Sequence, residues 1–117
     1  MGAEMEREGQ IAEMVLVLFA RWALPYSQQC ALLQVDSLPT PAVGGFQVFS
    51  VRIKGRAVRF LEIHACLRTL FPNDIDLAYR WMNQENLAFE SKPIDYIISY
   101  GDVGIDKVIN YLKLNFN

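Results

Sequence analysis

One histidine, two cysteines and no surplus of charge of either sign leave this sequence short of the usual catalytic, metal-binding and polyanion-binding material. His64 stands without a Cys or carboxylate ligand at metal-site spacing, which excludes a zinc motif. Its place mid-helix on an apolar face predicts a structural imidazole that donates to a nearby acceptor, and Glu62 points to another face. Cys30 and Cys66 fall inside apolar periodic stretches, so both are expected as reduced, buried thiols. There is no glycine-rich phosphate loop, no Ser/His/Asp arrangement and no isolated carboxylate pair. The apolar run Met14–Ala20 is too short to span a bilayer. Its flank of Glu4, Glu6, Glu8 and Glu13 is acidic where a signal peptide is basic, and Glu6 stands where a myristoylation motif needs Ser or Thr. No enzyme, cofactor, small-molecule substrate or membrane association is expected, and the expected location is cytoplasmic.

What the chain has is apolar material: 52% of its 117 residues are hydrophobic and 12% aromatic. Folding at this length reduces roughly 19,400 Å² of extended surface to roughly 6,500 Å², enough for a core without disulfides. Basic residues number six to five acidic over 1–60, and five to eight over 61–117. A general polyanion binder would carry a clear basic excess to displace counterions.

Hydrophobic spacing predicts an all-α fold of five to six short helices. Ile11, Met14, Val15, Leu18, Phe19 and Trp22 form one helix face, and Leu16 and Val17 make the opposite side apolar as well. A helix apolar nearly all round predicts self-association. Leu24-Pro25 interrupts it, and Pro25 can open a short helix with Cys30, Ala31, Leu32 and Leu33 inward, ending near Gln34. Pro39, Pro41, Gly44 and Gly45 lie within seven positions and predict a loop. Val51 and Ile53 alternating with Arg52 and Lys54 would suit an edge strand. The longer helical match of Ile53, Ala57, Phe60, His64, Leu67 and Phe71 prevails, although Gly55 costs that helix about 1 kcal/mol. Pro72 stops it. Asn73 or Asp74 caps a shorter helix with Leu77, Ala78, Trp81 and Met82 inward. A polar loop over 83–92 holds Leu87 and Phe89. Pro93 starts a two-turn helix with Asp95 near its positive end, Gly101 reads as a left-handed cap, and a last helix from about Val103 buries Ile105, Val108, Ile109, Leu112 and Phe116.

Arg52, Lys54, Arg56 and Arg59 form a basic cluster without an acid. On a helix the three arginines lie within about 60° of one another. Such a stripe suits either a phosphate or acidic-protein contact or a solvated helix edge.

In the second half, Leu70-Phe71-Pro72, then Ala78-Tyr79-Arg80-Trp81-Met82, Asn86-Leu87, Lys92-Pro93-Ile94-Asp95-Tyr96-Ile97-Ile98, Gly101, Gly104-Ile105 and Val108-Ile109-Asn110-Tyr111-Leu112 occur in that order. This series resembles the toxin-binding domain of the MbcA/ParS/Xre antitoxin family over roughly residues 56–112, without a gap. Arg56 falls where family members carry an arginine early in the long helix. In the first half, Trp22-Ala23-Leu24 followed by Cys30-Ala31-Leu32-Leu33-Gln34-Val35 is similar to the family's W-G-L and A-x-L-L-G-V in its helix-turn-helix part. Gln34 replaces the turn glycine. The stretch from Asp36 to Gly45, where the recognition helix belongs, has two prolines, two glycines and no Arg, Lys or Gln, so it lacks the side chains that read base edges.

The resemblance implies a helix-turn-helix-like region over 1–55 with a degenerate recognition segment, and a toxin-binding domain over 56–117. It implies an antitoxin that sterically neutralises a RES-domain, NAD-consuming toxin and dimerises through its N-terminal half. The alternatives are a DNA-binding autorepressor, or an orphan regulator without a toxin. Candidate toxin-binding residues are Leu87, Phe89, Pro93, Tyr100, Gly101, Val103, Gly104, Tyr111 and Phe116. Of the apolar groups in this region, Ile94 is expected as core. Candidate phosphate-binding residues are Arg52, Lys54, Arg56 and Arg59.

Overall fold

The computed structural model describes residues 2–39, 41, 42, 45, 46 and 50–114, with side chains over 9–39 and 50–114. The chain order is α1 (Gly2–Arg21), α2 (Tyr26–Leu33), β1 (Pro41–Ala42), β2 (Gly45–Phe46), α3 (Val51–Leu70), α4 (Ile75–Arg80), a single 3₁₀ turn (Trp81–Asn83), α5 (Pro93–Tyr100) and α6 (Asp102–Leu114). The all-α expectation holds. The predicted loop contains one minimal antiparallel ladder, in which Pro41 faces Phe46 and Ala42 faces Gly45. Two compact units, Met1–Leu61 and Glu62–Asn117, divide within α3.

In the first unit, α1 buries Ala12, Val15, Leu18 and Phe19, and Trp22 just after it continues the 3.6-residue period. Phe19 meets Phe60 of α3 edge-on at 5.3 Å, and Trp22 meets the same ring at 6.4 Å. Two expectations fail here: Met14, from the inward stripe, is about half exposed, and Ala31 of α2 faces solvent while Cys30, Leu32 and Leu33 are buried. Only a stripe of each helix meets the unit's interior, and these residues lie outside it.

Both helix ends of this unit close with a non-glycine residue in a left-handed conformation, Ala23 at φ 58° and Gln34 at φ 57°. After α1, Leu24 N–H donates to Phe19 O at 3.1 Å; after α2, Val35 N–H donates to Cys30 O at 3.0 Å. These are 6→1 closures, which put the residue between them at positive φ and so favour glycine. The positions are the two at which the resembled family carries glycine. Within α3, by contrast, Gly55 is exposed and a Cβ there would meet nothing within 4 Å. Ala23→Gly and Gly55→Ala are therefore each expected to raise the unfolding free energy by about 1 kcal/mol, as measured by urea denaturation.

In the second unit, α3 ends at Leu70 before Pro72, and the Asp74 carboxylate caps α4 by accepting from Leu77 N–H at 3.0 Å. Ile63, Leu67, Ala78, Met82, Ile94, Ile97, Ile105, Val108, Ile109 and Leu112 make the core. Pro93 occupies the first turn of α5, where its missing N–H has no helical partner to lose. Gly101 ends α5 at φ 62° and ψ −133°. The positive φ is as expected of a glycine cap, but ψ lies outside the left-handed helical well, in a region only glycine enters freely. Its N–H donates to Ile97 O at 2.7 Å and its carbonyl accepts from Ile105 N–H at 3.0 Å, so one residue closes α5 and opens α6.

Candidate functional site

The loop between the 3₁₀ turn and α5 is folded tightly on itself. Asn86 N–H donates to Ser91 O at 3.1 Å, Phe89 N–H to Asn86 O at 3.1 Å, and Ala88 N–H to the Asn86 side-chain oxygen at 2.9 Å. Glu90 takes a left-handed conformation at φ 56°. The two apolar residues of this loop separate completely: Leu87 is 97% exposed, whereas Phe89 is buried. The Phe89 ring lies 5.1 Å from Tyr96 and 5.2 Å from Tyr111, and meets Trp81 edge-on at 6.4 Å. A shallow cavity of ≈ 350 Å³ beside Leu87 is lined by Glu85, Asn86, Leu87 and Glu90.

The α5–α6 corner presents a second apolar group. Tyr100 and Val103 are 61% and 60% exposed on either side of Gly101. Tyr100 is held by Tyr96, with ring centroids 4.7 Å apart. A Cβ on Gly104 would sit 3.0 Å from Ile97 Cα and 3.1 Å from Tyr96 O, so α6 meets α5 backbone to backbone at that point. Nearby on α6, Tyr111 is half-buried and stacks on Trp81 at 6.2 Å. With Leu70, Phe71 and Leu112 these two rings line a groove of ≈ 280 Å³.

The nine candidate toxin-binding residues thus fall into three groups. Leu87, Tyr100 and Val103 are exposed, and Gly101 and Tyr111 are partly so. Phe89, Pro93 and Gly104 are buried. Phe116 lies outside the described residues. Glu85 and Glu90, which the expected site did not include, lie exposed beside Leu87. Trp81, expected wholly inward, is half-buried in the groove wall.

The basic stripe does not survive as one exposed surface. Arg56 is 5% exposed, and its Nε and Nη2 donate to Leu32 O at 2.9 and 2.7 Å. Arg52 is exposed and donates from Nη1 to the Gln34 side-chain oxygen at 2.9 Å. Both arginines reach the C-terminal end of α2, where unpaired carbonyls and the negative end of the helix dipole attract cations. Lys54 and Arg59 are half-buried.

His64 is half-buried, and its ring stacks on Tyr79 at 5.1 Å with the planes within 10°. Contrary to the expected donor role, Nδ1 is buried without a hydrogen-bond partner. Burial, and secondarily the positive charge of Arg68, hold the imidazole below its usual value. Above about pH 6.5 both folded and unfolded chains carry it neutral. Below that the unfolded chain takes up a proton that the folded one resists, so stability falls as pH drops toward the lowered folded value. The urea midpoint is expected to fall between about pH 7 and about pH 5.5, and to fall less in His64→Gln. Both cysteines are free and buried, as expected. Burial pushes the Cys66 thiol up, Glu62 adds to the effect and Lys113 opposes it, which keeps the sulfur protonated and unreactive.

Among the described residues no group of His, Cys, Asp or Glu could hold a metal ion, and no helix is long and apolar enough to cross a membrane. No curated protein matches the chain. Residues 66–113 match the family model of the antitoxin Xre/MbcA/ParS C-terminal toxin-binding domain, a span that takes in the 86–91 loop, the α5–α6 corner and the aromatic groove. Over that span the chain is similar to the toxin-binding domain of that antitoxin family.

Proposed function

We propose that the protein is a cytoplasmic antitoxin that binds a RES-domain, NAD-consuming toxin and neutralises it by steric obstruction, acting as a binding module and not as an enzyme. The observation that carries this reading is the pairing of exposed apolar residues with a rigid frame inside the matched span. Leu87, Tyr100 and Val103 face solvent, while Phe89, Pro93 and Gly104 beneath them are buried. Binding energy in protein interfaces concentrates in such apolar and aromatic anchors held in one conformation. A second copy of the chain is proposed to dock on α1, where Met14 and Val17 remain about half exposed.

The C-terminal end is proposed to supply the obstruction. Deleting residues 113–117 removes the Lys113–Glu62 ion pair, 3.3 Å long and substantially exposed, which contributes little to stability. The truncated chain is therefore expected to melt near the parent temperature yet fail to rescue cells expressing the toxin encoded beside it. Full rescue by the truncated chain would place the obstructing group elsewhere. An autorepressor role is less well supported, because Arg56 is buried and Arg52 is engaged with Gln34.

A further inference from the structure

We propose that the 85–90 loop is a preformed plug, in which Leu87 enters an apolar socket on the toxin whose rim carries Arg or Lys facing Glu85 and Glu90. This rests on the toxin-binding reading above and names the part of the surface that selects the partner.

A single exposed leucine is ordinary on a protein surface. This one differs in how it is held. The Asn86–Ser91 bridge closes the loop, the Asn86 side chain fixes Ala88, and Phe89 is anchored among Trp81, Tyr96 and Tyr111. Glu90 adopts a left-handed backbone that disfavours a side chain, and that strain is retained in the fold. All of this leaves Leu87 97% exposed beside a shallow cavity, where it adds almost nothing to the core. A loop backbone fixed in advance loses little conformational entropy on docking, and only the Leu87 side chain itself remains to be ordered. Glu85 and Glu90 are exposed, and from Gln84 to Ser91 the sequence holds no cation. The plug therefore presents an apolar tip within negative charge, and its complement is an apolar socket within positive charge.

The test uses the full chain and the purified toxin encoded by the adjacent reading frame. Leu87→Ala is expected to weaken the complex by about 30-fold, the effect of losing a central anchor. Its melting temperature should be unchanged, since the side chain touches almost nothing. The double variant Glu85→Lys, Glu90→Lys is expected to slow association by about tenfold at low salt, with the difference fading as salt rises. Binding by the parent chain with Leu87→Ala within about threefold of it overturns the plug and leaves the toxin-binding reading intact. Absence of binding by the parent chain overturns both. An unchanged association rate in the double lysine variant removes the basic rim from the proposal.

Discussion

Gly104→Val is expected to lower the unfolding free energy by about 3 kcal/mol, because the residue is buried where α6 meets α5. The reason is geometric. A Cβ at residue 104 would lie 3.0 Å from Ile97 Cα and 3.1 Å from Tyr96 O, and 3.3 Å from Tyr100 Cβ. None of the three atoms can be moved by a rotamer change, so α6 must shift away from α5. Ile105, Val108 and Ile109, buried from the same helix, would shift with it. Valine also lacks the helix preference that would partly offset the clash in alanine. Urea denaturation should show a lower midpoint with an unchanged slope. Because Tyr100 and Val103 flank the contact, toxin affinity should fall even at temperatures where the variant stays folded. A midpoint within error of the parent would mean that the two helices separate at no cost, contrary to the close approach.

Arg56→Met is expected to cost a similar amount, about 3 kcal/mol, by a different route. The methionine keeps much of the stem but removes both N–H donors, leaving Leu32 O at the end of α2 without the bonds at 2.9 and 2.7 Å that it accepts. A buried carbonyl stripped of its donor carries its full desolvation penalty. Arg56→Lys should recover less than half of the loss, since an ammonium cannot reproduce the planar pair of donors. The same denaturation experiment checks it. Equal stability of the methionine variant and the parent would mean that the two bonds to Leu32 O contribute nothing to the fold.

The two changes illustrate why some site residues could be read from the sequence and others could not. Residue 104 is marked by its glycine, and the order of landmarks around it resembles the toxin-binding family, yet the letter does not say whether the glycine touches a partner or a neighbouring helix. Arg56 sits in a cluster with three other cations and shares their local pattern. Its fate is set by a carbonyl 24 positions earlier in the chain. Leu87 and Phe89 are two residues apart in a loop without periodicity, so no spacing rule distinguishes the one that is exposed from the one that is buried.

The sequence determined the helical class, the buried stripe of α1, the breaks at Pro25, Pro72 and Pro93, the glycine closure at Gly101, and the resemblance over the second half. These depend on backbone geometry within a few residues, where the 3.6-residue period and the special backbones of proline and glycine leave a local mark. Tertiary structure alone decided that Phe89 goes in while Leu87 stays out, that Gly104 is a helix–helix contact, and that Arg56 closes a distant helix. Each of those outcomes depends on competition between distant groups for the same interior space or the same carbonyl, and that competition exists only once the chain has folded.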